Sequence, residues 1–242
     1  MNNLKKYQNK IIAHRGLHNN IDIPENSLKS FKLAIEKNYP IELDIHLTKD
    51  NQLIVFHDDN LKRMTKENKI IEALTLTEIK KYKLLNTNEQ IPTLKEVLNL
   101  VNGKVLLDIE IKGKKRIKTL INQLINELKN YNGEIIIKSF NPIIVKKVKN
   151  KTNKYLVGLL LSHNTDSRLY NIIAKTNIVI PYSKPDFLAI DKKLLSKKRI
   201  KKYLSKYQIM IWTIKEQNEI EKINNKNYIY INNNLIFEEK NL

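Results

Sequence analysis

The sequence predicts an α/β fold, a (β/α)8 TIM barrel, and three observations carry that prediction. Short apolar runs alternate with longer amphipathic stretches, the pattern of a parallel sheet wrapped by helices. The chain has 242 residues, a length that suits one barrel domain. Apolar residues make up 41% and charged residues 29%, which supplies a core and argues against intrinsic disorder.

Taken in order, the first strand covers 10–14, and a helix follows over 27–38 with Leu28, Phe31 and Ile35 at helical spacing. The second strand covers 41–47. Beyond it the chain reads Leu-Thr-Lys-Asp-Asn-Gln-Leu, where Asp50-Asn51 form a two-residue turn. Residues 53–57 are therefore an antiparallel arm returning along strand two, and this turn sets Asp44 opposite His57. Residues 59–92 are too long for an ordinary connection and read as a small insertion on the rim of a single 1–242 barrel. Capping boxes Thr75-x-x-Glu78 and Thr93-x-x-Glu96 mark two helix starts. The remaining strands fall at 105–112, 134–140, 155–161, 187–191, 209–214 and 228–231. With the arm set aside, the nine candidates become the eight that a barrel needs. A strong amphipathic helix over 114–131 carries Ile117, Leu120, Ile121, Leu124, Ile125 and Leu128, and weaker helices fit 142–151, 166–176, 192–207 and 215–226.

Composition excludes several chemistries. Cysteine is absent, so disulfides, thiolate metal sites, iron–sulfur clusters and thiol nucleophiles are absent with it. The five glycines (Gly16, Gly103, Gly113, Gly133 and Gly158) stand too far apart for a dinucleotide loop, a Walker loop or a serine-hydrolase elbow. The net charge is +19, carried by 39 Lys and 5 Arg. Such a surface attracts nucleic acid, anionic membranes or phosphorylated ligands. Arginine is scarce where base and phosphate readers use it, so no specific nucleic-acid partner is expected. Codon bias toward Lys, Asn and Ile is the plainer source of the charge. The run 192–206 is the most basic; it reads as a solvated barrel helix, with an anionic-membrane or nucleic-acid face as the alternative. No segment has the roughly 18 apolar residues of a membrane helix. The N-terminus lacks an apolar signal core, and a cytoplasmic location is expected.

The chemistry lies at the strand ends. Glu42 and Asp44 alternate along strand two and share one face. Two acids facing a barrel interior are costly unless a cation or strong hydrogen bonds meet them. Mg²⁺ or Ca²⁺ suits such oxygen ligands, and a rim salt bridge is the competing reading. Asp108, Glu110 and Lys112 repeat the device. Active sites sit at the C-terminal ends of barrel strands, so Glu110 is assigned as a third metal ligand, Lys112 as a phosphate contact and Asp108 as a deeper support. His14 and Arg15 precede the permissive Gly16 and suggest a proton-transfer group beside an anion contact. The arm returns His57 to the height of the carboxylates. Two histidines beside three carboxylates suit acid–base phosphodiester cleavage; the sequence leaves acid and base open, and His57 is assigned the acid. Phe140 and Trp212 end strands at the same mouth and are pocket candidates, with core packing as the alternative. His18, His46 and His163 are expected at the surface or behind the site.

These residues together resemble the glycerophosphodiester phosphodiesterase family. The matching pieces are IIAHRG at 11–16, PENS at 24–27, ELDIHLTKD at 42–50, VFHD at 55–58, IPTLKEVL at 91–98, LDIEIK at 107–112, KSFN at 138–141 and WT at 212–213. The resemblance implies a barrel with a small inserted subdomain and one divalent ion, Mg²⁺ or Ca²⁺. It implies hydrolysis of glycerophosphodiesters such as glycerophosphocholine or glycerophosphoethanolamine to glycerol 3-phosphate and an alcohol. It places catalysis on His14 and His57, metal binding on Glu42, Asp44 and Glu110, and phosphate contact on Arg15 and Lys112. Glu25 and Asn26 are expected to support the mouth. One piece departs: the family's closing Gly-x-Asp-Gly-Ile-x-Thr-Asp-like run is here Tyr228-Ile-Tyr-Ile-Asn-Asn-Asn234. The alternatives are a lysophospholipase D- or sphingomyelinase D-like phosphodiesterase, and a non-catalytic basic barrel binding nucleic acid or membrane. Weak association with anionic membranes is a further possibility, and the oligomeric state is left open.

Overall fold

A computed structural model describes residues 4–113, 115–162 and 178–233. Eight parallel strands close into a barrel: β1 (Ile11–Ala13), β2 (Ile41–Leu47), β4 (Leu107–Ile111), β5 (Ile135–Ser139), β6 (Leu156–Leu161), β7 (Phe187–Asp191), β8 (Gln208–Ile214) and β9 (Ile229–Asn232). Each pairs with the next around the ring, and β1 closes it against β9 on one side and β2 on the other. The ninth strand, β3 (Leu53–Val55), lies antiparallel on β2. Among the described residues, helices α1 (Leu28–Glu36), α4 (Leu94–Val101), α5 (Ile117–Leu128), α6 (Pro142–Lys151), α7 (Val179–Ser183), α8 (Lys198–Leu204) and α9 (Gln217–Ile223) connect the strands.

The outward strand residues and the inward helix faces form the larger core, exemplified by Leu43, Ile45, Ile109, Ile137, Leu120 and Leu124. A smaller core fills the barrel itself, with Ile12, Leu106, Ile136, Phe187, Ala189, Met210 and Ile229. Leu4, on a 3-10 turn over Leu4–Tyr7, enters this inner core, and Lys6 and Tyr7 of that turn both engage Glu134. The lower barrel is thus packed with apolar side chains, and the polar chemistry lies at the upper mouth.

Between β3 and α4, the short helices α2 (Lys62–Thr65) and α3 (Leu76–Ile79) gather around Leu61, Met64, Ile71, Ile79, Leu84 and Ile91. Both capping boxes form: Thr75 and Thr93 accept from the backbone of Glu78 and Glu96, whose side chains reach back.

Two expectations need correction. The hairpin has a three-residue loop. Ile45 pairs with Val55 and Leu47 with Leu53, and Phe56 N donates to the Asp44 carbonyl at 2.9 Å, so Asp44 faces Phe56 and not His57. Asn51 takes a left-handed φ of 63°, and Thr48 Oγ1 accepts from Gln52 N at 2.8 Å. A turn closed by a left-handed residue is the favoured three-residue hairpin, and it shifts the register by one. The basic run is also no single helix over 192–207. It is a 3-10 turn over Lys192–Leu194, capped by the Asp191 side chain, followed by the shorter α8. The helix expected over 166–176 and His163 lie outside the described residues. Among the described residues, no helix is long and apolar enough to cross a membrane.

Candidate active site

Strand period and register build the charged side of the mouth. Glu42 and Asp44 point inward from β2, and the β4 register sets Asp108 beside Glu42 and Glu110 beside Asp44. β5 sets Lys138 beside Glu110. On the far side, Leu160, Trp212 and Ile231 line the cleft from β6, β8 and β9. The same cleft is also lined by His14, Arg15, His57, Lys112, Phe140 and Thr213. One half of the mouth is ionic and the other apolar.

Ligand oxygens of Glu42, Asp44 and Glu110 lie within 4.8 Å of one another. The three residues are buried, and their remaining contacts are specific. Glu42 Oε1 lies 3.3 Å from Lys138 Nζ, and Glu42 Oε2 accepts from Arg15 N at 3.1 Å. Asp44 Oδ2 accepts from Asn26 Nδ2 at 3.0 Å. Asp44 Oδ1 and Glu110 Oε1 accept no hydrogen bond; Lys112 Nζ faces them at 3.8 and 3.1 Å without bonding geometry. Orphaned carboxylate oxygens beside one another fit a divalent cation with oxygen ligands.

The bend after β1 aims the basic groups. Arg15 and Gly16 have left-handed φ values of 57° and 81°. At Gly16 a Cβ would come within 2.5 Å of Ser30 Oγ and 2.9 Å of its backbone carbon, so the turn requires glycine. Arg15 then donates from Nη1 to Glu25 Oε1 at 2.7 Å, with its Nε 3.5 Å from Asp44 Oδ2. Glu25 and Asn26 thus hold Arg15 and Asp44.

The two histidines have unlike environments. His14 Nδ1 donates to Asn233 Oδ1 at 2.9 Å, which leaves Nε2 as the acceptor, 3.9 Å from Glu42 Oε2. Burial, with help from Arg15, pushes its pKa down to about 4, so the ring is neutral near pH 7. His57 Nδ1 donates to Asp58 Oδ1 at 2.6 Å, and its Nε2 meets Lys112 Nζ at 3.1 Å. His57 reaches the cleft despite the shifted register because the chain leaves the ladder after β3, so strand parity does not govern it.

Four groups that sequence reasoning missed support these. Lys138, 1% exposed, bridges Asp108 Oδ2 at 2.6 Å and Glu42. Burial raises the Asp108 pKa to about 7 against the pull of Lys138, whose own pKa is raised because the neighbouring acids outweigh its burial. The signal was present: Lys138 has inward parity on its strand. Asp58 follows His57 directly. Asn233 falls in the Asn-rich run that departs from the family pattern. Arg63 gives no periodic signal at all. His18 and His46 are buried rather than at the surface; His46 Nε2 donates to the His57 carbonyl at 3.3 Å, and its Nδ1 lies 3.2 Å from Glu72 Oε1. Phe140 and Trp212 meet edge to face at 5.6 Å on the apolar wall.

The chain is similar to known proteins over most of its length. The family model described as the glycerophosphoryl diester phosphodiesterase family matches residues 14–229. A glycerophosphodiester phosphodiesterase of Caldanaerobacter subterraneus subsp. tengcongensis is 40% identical over 161 residues, covering 62% of this chain and 65% of the relative, just under two thirds of its length. An uncharacterized protein of Mycoplasma genitalium is 31% identical over 235 residues, 91% of this chain and 92% of that one. The fold resembles that of an Oleispira antarctica phosphodiesterase solved with sn-glycerol-3-phosphate, with a TM-score of 0.79, 22% identity and coverage of 93% and 92%.

Proposed function

The chain belongs to the glycerophosphoryl diester phosphodiesterase family, and on that premise we propose that it hydrolyses glycerophosphodiesters to glycerol 3-phosphate and an alcohol. The observation that carries this reading is the meeting, at one cleft, of the Glu42–Asp44–Glu110 cluster with His14 and His57. Glu42, Asp44 and Glu110 would hold a divalent ion, Mg²⁺ or Ca²⁺, which would supply Lewis-acid stabilisation of charge on the phosphoryl oxygens. Arg15 and Lys112 bind the phosphate from either side of that cluster. His14, with Nε2 free to accept, takes the proton from the nucleophile, which is either water, giving glycerol 3-phosphate directly, or the substrate's own 2-hydroxyl, giving a cyclic phosphate that water then opens to glycerol 3-phosphate. His57, whose Nδ1 donates to the Asp58 carboxylate, is the group that gives a proton from Nε2 to the departing alkoxide. The bond from phosphorus to the alcohol oxygen breaks as the bond to the nucleophile forms. The apolar wall of Phe140, Leu160, Trp212 and Ile231 receives the alcohol portion. A lipid-tailed diester is the second reading, favoured by that same wall. The +19 charge would add weak, salt-sensitive attraction to anionic membranes.

The test is release of glycerol 3-phosphate from glycerophosphocholine, first with EDTA and then with Mg²⁺ or Ca²⁺ restored. Metal-dependent release supports the reading. Faster turnover of a lysophospholipid than of glycerophosphocholine would move the assignment to the lipid-tailed class, and no release from either would sink it. Glu42→Ala is expected to weaken metal binding in calorimetry. His57→Ala should retain metal and lose about 10²–10⁴-fold in turnover of glycerophosphocholine, whose alcohol leaves poorly, with a smaller loss on a p-nitrophenyl ester.

A further inference from the structure

We propose that Arg63, on α2 outside the barrel, is a positioning residue that holds His57 and Arg15 in one geometry through their carboxylate partners. The inference rests on the roles given above to His57 and Arg15. The guanidinium engages two carboxylates at once. Its Nε donates to Asp58 Oδ2 at 2.7 Å and its Nη2 to Asp58 Oδ1 at 3.1 Å. Its Nη1 donates to Glu25 Oε2 at 2.9 Å and its Nη2 to Glu25 Oε1 at 2.6 Å. Asp58 Oδ1 is the oxygen that receives the His57 Nδ1 proton, and Glu25 Oε1 is the oxygen that receives Arg15 Nη1. The two oxygens that orient the cleft's proton-transfer and phosphate groups are thus those on which Arg63 Nη2 converges. Glu25 comes from the loop after β1 and Asp58 from the loop after β3, and Arg63 bridges these two loops.

The chemistry favours a planar fork at this place. Only a guanidinium can present paired N–H groups to two carboxylates in one plane; an ammonium is a single point charge. Without Arg63, Asp58 keeps only His57, and Glu25 keeps Arg15 and Asn20, whose Nδ2 donates to Glu25 Oε2 at 2.8 Å, so the Asp58–His57 pair gains the most freedom to rotate. A misplacement of about 1 Å in a reacting group can cost about 10²-fold in rate. The competing role is purely structural, in which Arg63 staples the 59–92 segment to the barrel and the active groups are indifferent to it.

The Arg63 side chain is 44% exposed while Glu25 is 5% exposed, so the vacated site is open to a small cation from solvent. Arg63→Ala is therefore expected to lower kcat on glycerophosphocholine by about 10–100-fold, the range typical of outer partners of catalytic ligands. KM should rise less than kcat falls, and guanidinium chloride at millimolar concentration should restore turnover where sodium chloride of equal ionic strength does not. Arg63→Lys keeps the charge and the fold and should still lose kcat. In an Asp58→Asn background the Arg63→Ala loss should shrink, since both act through one chain of contacts. A readout independent of turnover is the downfield Nδ1 proton of His57 in NMR, identified by its absence in His57→Asn. It should be sharp in the wild type and broadened in Arg63→Ala. Wild-type kcat in Arg63→Lys, no guanidinium rescue of a folded Arg63→Ala, or an unchanged His57 resonance would overturn the proposal. A wild type that shows the resonance and its loss but releases no glycerol 3-phosphate would keep the clamp and overturn only the reaction assigned to the site.

Discussion

Lys138 is the residue on which the buried acids depend most. It is a fully buried cation between Asp108 and Glu42, and all three charges are out of water. Removing one partner from such a group leaves an uncompensated charge, at a cost of about 3–5 kcal/mol. Lys138→Met should therefore lower the unfolding free energy measured in urea by about that much, and adding Asp108→Asn should recover part of the loss. Equal stability of the single variant and the wild type would show that water reaches the acids. At this scale the sequence was informative where parity applies: Glu42, Asp44 and Glu110 were found because strands alternate. It was silent on Asn233, whose partner His14 lies 219 residues away, and on Arg63, whose second partner Glu25 lies 38 residues away.

At the scale of elements, the β2–β3 hairpin and the segment after it do the positioning. The register expectation failed because Thr48 and Asn51 close a three-residue loop, a choice made by side-chain hydrogen bonding rather than by hydrophobic pattern. His57 arrived at the site for a different reason, irregular backbone beyond β3. The ion pairs tying α2 to the barrel carry a pH signature. Burial pushes the Glu25 carboxyl up, but hydrogen bonds from Arg63 and the charge of Arg15 outweigh it and hold the pKa near 2, against an ordinary 4.5. A folded pKa below the unfolded one stabilises fully above pH about 4.5, and that stabilisation fades as pH falls toward about 2. The stability gap between wild type and Arg63→Gln should accordingly be largest near neutral pH and narrow across that window. A gap that stays constant from pH 6 to pH 3 would mean that Arg63 does not act through ionised carboxylates.

For the whole molecule, the barrel divides its mouth between an ionic half on β1, β2, β4 and β5 and an apolar half on β6, β8 and β9. The apolar lower barrel, filled from below by Leu4, leaves the carboxylates no deeper route to water. A divalent ion that binds the folded cluster and not the unfolded chain must stabilise the fold by mass action. At a hundredfold excess over Kd that is about 2.7 kcal/mol, or about 5–10 °C in Tm for a chain of this size. Thermal melts with EDTA and then with Mg²⁺ or Ca²⁺ should show it. An absent shift at millimolar metal would argue that Lys112 and Lys138 already satisfy the acids and that the cluster holds no ion.

The sequence by itself determined the barrel, since apolar periodicity dictates which residues turn toward the helices and which turn inward, and with it the inward acids of β2 and β4. It also determined the bend at His14–Gly16, because only glycine meets Ser30 at that distance. Only the tertiary structure decided the hairpin register, the partners of each histidine and the double salt bridge of Arg63. The register follows from side-chain hydrogen bonds within the Thr48–Gln52 loop, and the His14–Asn233 and Arg63–Glu25 contacts join segments far apart in the chain; no local period encodes either.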